Sequence, residues 1–222
     1  MIWKLLKAIP KTIWFNFRCF DFKTAIKMPI IVSNRVNCKE IKKGNIIIDS
    51  TNLKPGMIRL GLSDGAYERG KYKRSYLNVA KEGTLIFKGT AHIANEFAIN
   101  IVGGGHLSFG DNFASNYGLI ISCEDRIQFG KDVLLGWDCT FIDGDGHDIL
   151  DADGTKTNKS KAISIGNHVW MAAKVTGLKG CSIADDSVVG YGSIITKSMN
   201  CKNCVVSGYP AKQTKESIIW KH

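Results

Sequence analysis

Residues 163–199 read ISIGNHVWMAAKVTGLKGCSIADDSVVGYGSIITKSM, and their spacing decides the fold. Ile165, Met171, Gly177, Ile183, Val189 and Ile195 stand six apart. The residue after each is small at Gly166, Ala172, Ala184, Gly190 and Thr196, with Leu178 the exception. Four residues after each come Val169, Val175, Cys181, Ser187, Ser193 and Met199. A helix repeats about every 3.6 residues and a strand about every 2, so a period of six belongs to neither. It predicts a stacked repeat: a parallel β-helix in which three short strands make one triangular coil and each coil buries its apolar edge on the next.

The same rhythm runs upstream through Phe129-Gly130, Leu135-Gly136 and Phe141-Ile142, which calls for an aliphatic residue at position 147. His147 stands there, followed by a polar run over residues 148–161 that no coil can hold. The solenoid is therefore expected to throw out a loop and resume at Ile163-Ser164-Ile165-Gly166. A consistent pattern that fails at one titratable residue marks a functional site; the alternative is a solvated histidine at a loop root.

Composition bounds the rest. The chain has 222 residues, 44% apolar and 23% charged, which fits one globular domain plus an appendage. Its formal charge of +10 favours an anionic partner, but the basic residues are scattered and no nucleic-acid motif is present. Seven cysteines, an odd number without a secretory signal, argue against a disulfide framework and for a reducing, cytoplasmic compartment. Cys139 and Cys181 fall at the fifth hexad position and read as small core residues. Cys201 and Cys204 form a single C-x-x-C, weak evidence for zinc without a second pair.

In chain order, residues 1–27 form an amphipathic segment. Ile2, Leu6, Ile9, Ile13 and Phe17 make an apolar stripe from which Lys4, Lys7 and Lys11 are set off, and Pro10 predicts two short helices rather than one. The segment is too short and too often interrupted by lysine to span a membrane. It packs on the solenoid end or a neighbouring subunit, or else is a peripheral foot on the inner face of an anionic membrane. Residues 28–84 are expected to be irregular capping coils, with a charged and aromatic loop carrying Tyr67, Arg69, Lys71, Tyr72, Lys73, Arg74 and Tyr76. Residues 85–211 form the β-helix proper with the loop at 148–161, and residues 212–222 a helical tail. Leu107-Ser108-Phe109-Gly110, Ile127-Gln128-Phe129-Gly130 and Ile163-Ser164-Ile165-Gly166 mark one corner of successive coils. Asn116, between the first two, is a polar residue that a simple coil does not need.

Several phrases together resemble the hexapeptide-repeat sugar O-acetyltransferases: residues 112–116, Asp143-Gly144-Asp145-Gly146-His147, Gly166-Asn167-His168-Val169-Trp170, residues 190–197 and Gly208-Tyr209-Pro210-Ala211-Lys212. The family includes galactoside and maltose acetyltransferases and the capsular-polysaccharide and lipopolysaccharide branch, toward which the Asp-rich run before His147 leans. The resemblance covers roughly residues 107–215. It implies an all-β, left-handed parallel β-helix, an exception to the usual right-handed crossover, assembled as a homotrimer with acetyl-CoA between subunits. It further implies His147 as catalytic base and Trp170 beside the reacting thioester, with Asn116 and Glu124 touching the acceptor. Ala173, Tyr191, Thr196, Lys197, Lys212 and Lys215 match CoA contacts. Tyr191 departs from the small residue usual at its position, and Gly177 with Leu178 departs from the hexad.

The chemistry suits these residue types. A sugar hydroxyl is a poor nucleophile, and a neutral imidazole can take its proton during attack on the thioester. The tetrahedral oxyanion then needs donors already aimed at it, such as backbone N–H groups or the Trp170 indole. No acyl-enzyme and no metal are expected. His168 is read as packing against the loop rather than catalysing, and His92, His106 and His222 show no site spacing. The expected function is therefore acetyl transfer to a saccharide hydroxyl, in surface polysaccharide biosynthesis. The alternative is N-acetylation of an amino-sugar nucleotide with the same fold and cofactor. A zinc hydratase of the gamma-type carbonic anhydrase kind lacks its converging histidines, and a scaffold leaves His147, Trp170 and the terminal lysines unexplained.

Overall fold

The computed structural model describes residues 2–63 and 74–221. Every third strand in chain order joins the same sheet, so three parallel sheets form the faces of one coil. The first coil is Ile30–Val32, Val36–Lys39 and Ile46–Ile48 on the first, second and third faces. Further along, the site-bearing coils are Phe113–Ser115, Ile120–Cys123, Arg126–Phe129; Leu134–Leu135, Thr140–Ile142, Ile163–Ile165; Trp170–Met171, Thr176–Leu178, Ser182–Ile183; and Val188–Val189, Ile194–Ile195, Ser198–Met199. This is the left-handed parallel β-helix of hexapeptide-repeat proteins.

The register explains the period. Ile165 stacks on Ile183, Met171 on Val189 and Gly177 on Ile195, so three hexads make one coil. Phe129 stacks on Ile165, twice as far along the chain, so the excursion after Phe141 absorbs the length of one full coil without changing the phase. Within it, residues 148–161 hold only an isolated bridge, Leu150 to Lys156. The glycine at 177 is required by its neighbour below: a Cβ there would meet the Phe141 ring at 2.8 Å, and Phe141 fills the space that an aliphatic residue occupies on other coils.

Inward-facing side chains form one continuous core. Phe87, Phe109 and Phe129 stack up the third face with centroids 5.5 and 5.4 Å apart, and Phe141 meets Phe129 edge-on at 4.9 Å. Each such buried side chain contributes roughly 1.5–3 kcal/mol by leaving water. Cys139 and Cys181 lie in this core as small residues, and burial pushes each thiol up to about 12.

Four expectations are corrected. Residues 28–84 do hold coil strands of irregular spacing, Ile30 stacking on Ile58 and Val36 on Ser75, but Tyr76, read with the charged loop, lies in the strand Ser75–Val79. Tyr67, Arg69, Lys71, Tyr72 and Lys73 lie outside the described residues, whereas Arg74 is exposed. The N-terminal segment is one helix, α1 (Ile2–Cys19), running through Pro10, followed by a short α2 (Phe22–Ala25) capped by Asp21. Pro10 sits on the exposed side, where water can serve the carbonyl left without its N–H donor. Residues 212–215 are not helical: Ala211–Lys215 pairs antiparallel with Val205–Gly208, satisfying edge N–H and C=O groups that a helix would leave open. Finally, Cys201 and Cys204 are joined in a disulfide, while Cys19, Cys38, Cys123, Cys139 and Cys181 are free. The two bridged positions are so close in sequence that the bond constrains the unfolded chain little.

Helix α1 closes the open end of the coil by imitating a strand. Asn16 Nδ2 donates to the carbonyl of Ile30 (2.7 Å) and its Oδ1 accepts from the Ile30 N–H (3.3 Å). One turn earlier, Thr12 Oγ1 accepts from the Val32 N–H (3.1 Å) and donates to the Val32 carbonyl (3.3 Å). The edge of the first face, otherwise a template for pairing with another chain, is thus satisfied by side chains. Phe15 and Cys19 join the core beneath. The apolar stripe Leu6, Ile9, Ile13 and Phe17 does not face the coil; all four side chains are exposed.

Candidate active site

His147 follows the last residues of the Thr140–Ile142 strand, at the corner between the second and third faces, and its side chain is exposed. Its backbone is clamped. Asn158 Nδ2 donates to the His147 carbonyl (2.7 Å) and to Asp145 Oδ2 (2.8 Å), while Asn158 Oδ1 accepts from the Ile149 N–H (2.7 Å). Lys179, one coil further on, donates to the same Asp145 oxygen. The Lys179 ammonium, and after it the Asn158 amide, hold the Asp145 carboxyl below its usual range. Asp145 therefore keeps its partners down to pH values at which free aspartate would be protonated, and they are lost only as pH falls through its depressed value.

Glu124 stands at the same corner one coil earlier. Asp143, fully buried, accepts from the backbone N–H groups of Glu124 (2.7 Å) and Asp125 (3.0 Å), which fixes the turn. Burial pushes the Asp143 carboxyl up, and these two N–H groups pull it back. Ser160 donates to Glu124 Oε2 (3.0 Å), tying the end of the loop to the carboxylate. Thr196 and Lys197 occupy this corner between Ile194–Ile195 and Ser198–Met199, both exposed. One corner thus collects Glu124, His147, Thr196 and Lys197.

The other expected residues lie elsewhere. Asn116 sits at the corner between the first and second faces, its Nδ2 donating to the Leu135 carbonyl (3.0 Å). Ala173 and Tyr191 share that corner on later coils: Ala173 is buried, and Tyr191 is 62% exposed with Lys174 Nζ 5.8 Å from its ring. Trp170 projects from the first face, 39% exposed. Lys212 and Lys215 are exposed on the terminal strand of that face. The two sets flank the second face, whose strand Ile120–Cys123 alone spans roughly 13 Å. A single chain does not bring His147 and Trp170 together.

His168 packs on the C-terminal tail, not on the loop. Its Nδ1 lies 2.9 Å from Asp186 Oδ1, its ring stacks on Trp220 at 4.1 Å, and Trp220 Nε1 donates to the His168 carbonyl (3.0 Å). Trp220 also meets Trp170 at 6.2 Å. Sequence reasoning missed Trp220, Asn158, Ser160 and the Asp145–Lys179 pair. Each acts on a partner distant in sequence, with no local signature.

Gly144 provides a separate test of this corner. A Cβ there would meet Glu124 Oε2 at 2.0 Å and Ser160 Oγ at 2.9 Å, both ends of movable side chains. Gly144→Ala is expected to displace Glu124 while leaving the backbone of the corner in place, since every atom that the new Cβ meets belongs to a side chain. Steady-state kinetics should show a raised acceptor KM; an unchanged KM would remove Glu124 from the acceptor site.

The coil is a hexapeptide-repeat β-helix, and its two corners carry the residues that the resemblance to sugar acetyltransferases singles out. No protein-family model matches the chain. It is 34% identical over 116 residues to the galactoside O-acetyltransferase of Escherichia coli (strain K12), covering 51% of this chain and only 55% of that protein. It is 29% identical over 206 residues to an uncharacterized 24.8 kDa protein in the cps region of Klebsiella pneumoniae, covering 93% and 87%. Among solved structures it matches the polySia-specific acetyltransferase NeuO with a TM-score of 0.54 and 26% identity, over 87% of this chain and 89% of that one. The chain is thus similar in sequence to a sugar O-acetyltransferase over about half of its length, and it shares its fold with a solved acetyltransferase.

Proposed function

We propose that the protein transfers an acetyl group from acetyl-CoA to a hydroxyl of a saccharide, in surface-polysaccharide biosynthesis, in a site formed between copies of a homotrimer. The observation that carries the reading is the division of the expected residues between two corners of the coil. Glu124, His147, Thr196 and Lys197 stand on one. Asn116, Ala173 and Tyr191 stand on the other, with Trp170, Lys212 and Lys215 on the face that leads to it. A second copy that sets its first face against the His147 corner completes the set. The sugar O-acetyltransferase relatives support the acceptor class.

In this reading Glu124 orients the acceptor, and the His147 imidazole removes the hydroxyl proton as the oxygen attacks. Asn158 fixes the backbone from which that ring projects. The thioester supplies the acetyl group: as the new C–O bond forms, its C–S bond breaks and the leaving thiolate takes the proton from the imidazolium. Trp170, contributed by the neighbouring copy, sits beside the reacting carbonyl. Ala173 leaves the coil backbone open to an extended amide chain, and Lys197, Lys212 and Lys215 supply point charges for phosphates. The test is a panel of saccharide acceptors with acetyl-CoA, reading thiol release and acceptor mass. A mass gain of one acetyl group, matched by thiol released, is expected on at least one sugar; thiol release unaffected by any saccharide would refute the reading.

A further inference from the structure

Around the axis of α1, at about 100° per residue, the side chains fall into three strips. Ala8, Thr12, Phe15, Asn16 and Cys19 face the coil and are buried. Leu6, Ile9, Ile13 and Phe17 form a second strip, each 45–50% exposed. Lys4, Lys7, Lys11 and Arg18 form the third. Trp3 and Trp14, 76% and 46% exposed, lie on the border between the apolar and basic strips, with Lys11 Nζ 4.5 Å from the Trp14 ring. Phe22, 70% exposed, extends the apolar strip through its contact with Phe17 at 6.0 Å. Below the strip runs an apolar groove of ≈ 530 Å³, lined by Leu5, Leu6, Ile9, Ile13, Met28 and Pro55 among others.

A run of large apolar side chains turned away from its own core marks an interaction surface. We propose that this face of α1 docks the protein on an anionic lipid membrane, with the helix lying in the plane of the interface. Charge decides the occupant. The helix sequence contains no acidic residue, and ahead of Met28 the chain sets Lys4, Lys7, Lys11, Arg18, Lys23 and Lys27 against Asp21 alone. Pairing this face with the same face of a second copy would set cation against cation, whereas an anionic headgroup layer complements it. Tryptophan at the border of apolar and basic strips is the placement that headgroup depth favours. Among the described residues no helix is long and apolar enough to cross a membrane, so contact through α1 is peripheral. The groove beneath gives acyl chains a place to enter. This inference rests on α1 alone and is independent of the catalytic reading.

The test is co-sedimentation of the full chain with phosphatidylcholine vesicles, with and without phosphatidylglycerol. Binding to the anionic vesicles and its loss in high salt are expected. Lys4, Lys7 and Lys11 changed together to Gln should weaken partitioning on the order of 100-fold. Ile9, Ile13 and Phe17 changed together to Ser should abolish it while circular dichroism stays unchanged, since these side chains are exposed. Equal binding to both vesicle types would overturn the proposal, as would binding to neither. A serine variant that binds vesicles like the wild type would do so too. A lower oligomeric mass for that variant in lipid-free solution, with no vesicle binding by the wild type, would assign the face to a second copy instead.

Discussion

His147→Ala is expected to lower acetyl transfer by at least about 100-fold, the lower end of what a positioned proton acceptor contributes. The loss should be specific to chemistry. The side chain is exposed, and the bond that anchors the segment goes to the His147 backbone carbonyl, which alanine retains. Thermal unfolding and oligomeric mass should therefore match the wild type. Cofactor binding should persist, because Ala173, Tyr191, Lys212 and Lys215 lie away from that corner and Thr196 and Lys197, which share it, keep their own side chains. Trp170→Phe should cost less, keeping the ring and removing one donor. A folded His147→Ala protein acetylating at near wild-type rate would end the general-base assignment.

Asn16→Ala is expected to produce the largest loss of stability among single polar substitutions, about 2–4 kcal/mol, because it orphans both edge groups of Ile30 in a buried setting, each worth roughly 1–3 kcal/mol. Asn16 is fully buried and spends its amide on the Ile30 carbonyl, the Ile30 N–H and the Thr12 carbonyl (2.8 Å). Denaturant titration should show the loss as an earlier midpoint. Catalysis at low temperature should survive, since the substitution lies at the opposite end of the coil from the site residues. A midpoint unchanged from the wild type would mean that α1 does not close the edge.

What the sequence made legible follows from what repeats. The hexad from Ile165 to Ile195 revealed the coil because each position stacks on its own counterpart one coil later. The failure of that pattern at His147 located the loop for the same reason. Gly177 looked like a defect only because its filler, Phe141, lies on the previous coil. The early coils were legible only as irregular ones, because Ile30 stacks on Ile58 and Val36 on Ser75, spacings too long to show the hexad period. The apolar stripe of α1 was visible but its direction was not: Asn16 and Thr12, polar by composition, proved to be the buried side. Trp220 and Asn158 carry no periodic or motif signal, so only the folded chain shows them beside His168, Trp170 and His147.

The central claim is that one active site takes His147 from one copy and Trp170 from its neighbour. Oligomers mixed from His147→Ala and Trp170→Ala chains, each weak alone and separately tagged for purification together, test it most directly. In the co-purified mixed trimers activity should return at about one site in three, the one pairing an intact His147 corner with an intact Trp170 face across the cyclic interface. Co-purified mixed oligomers no more active than the parents, or a fully active wild-type monomer by light scattering, would contradict it.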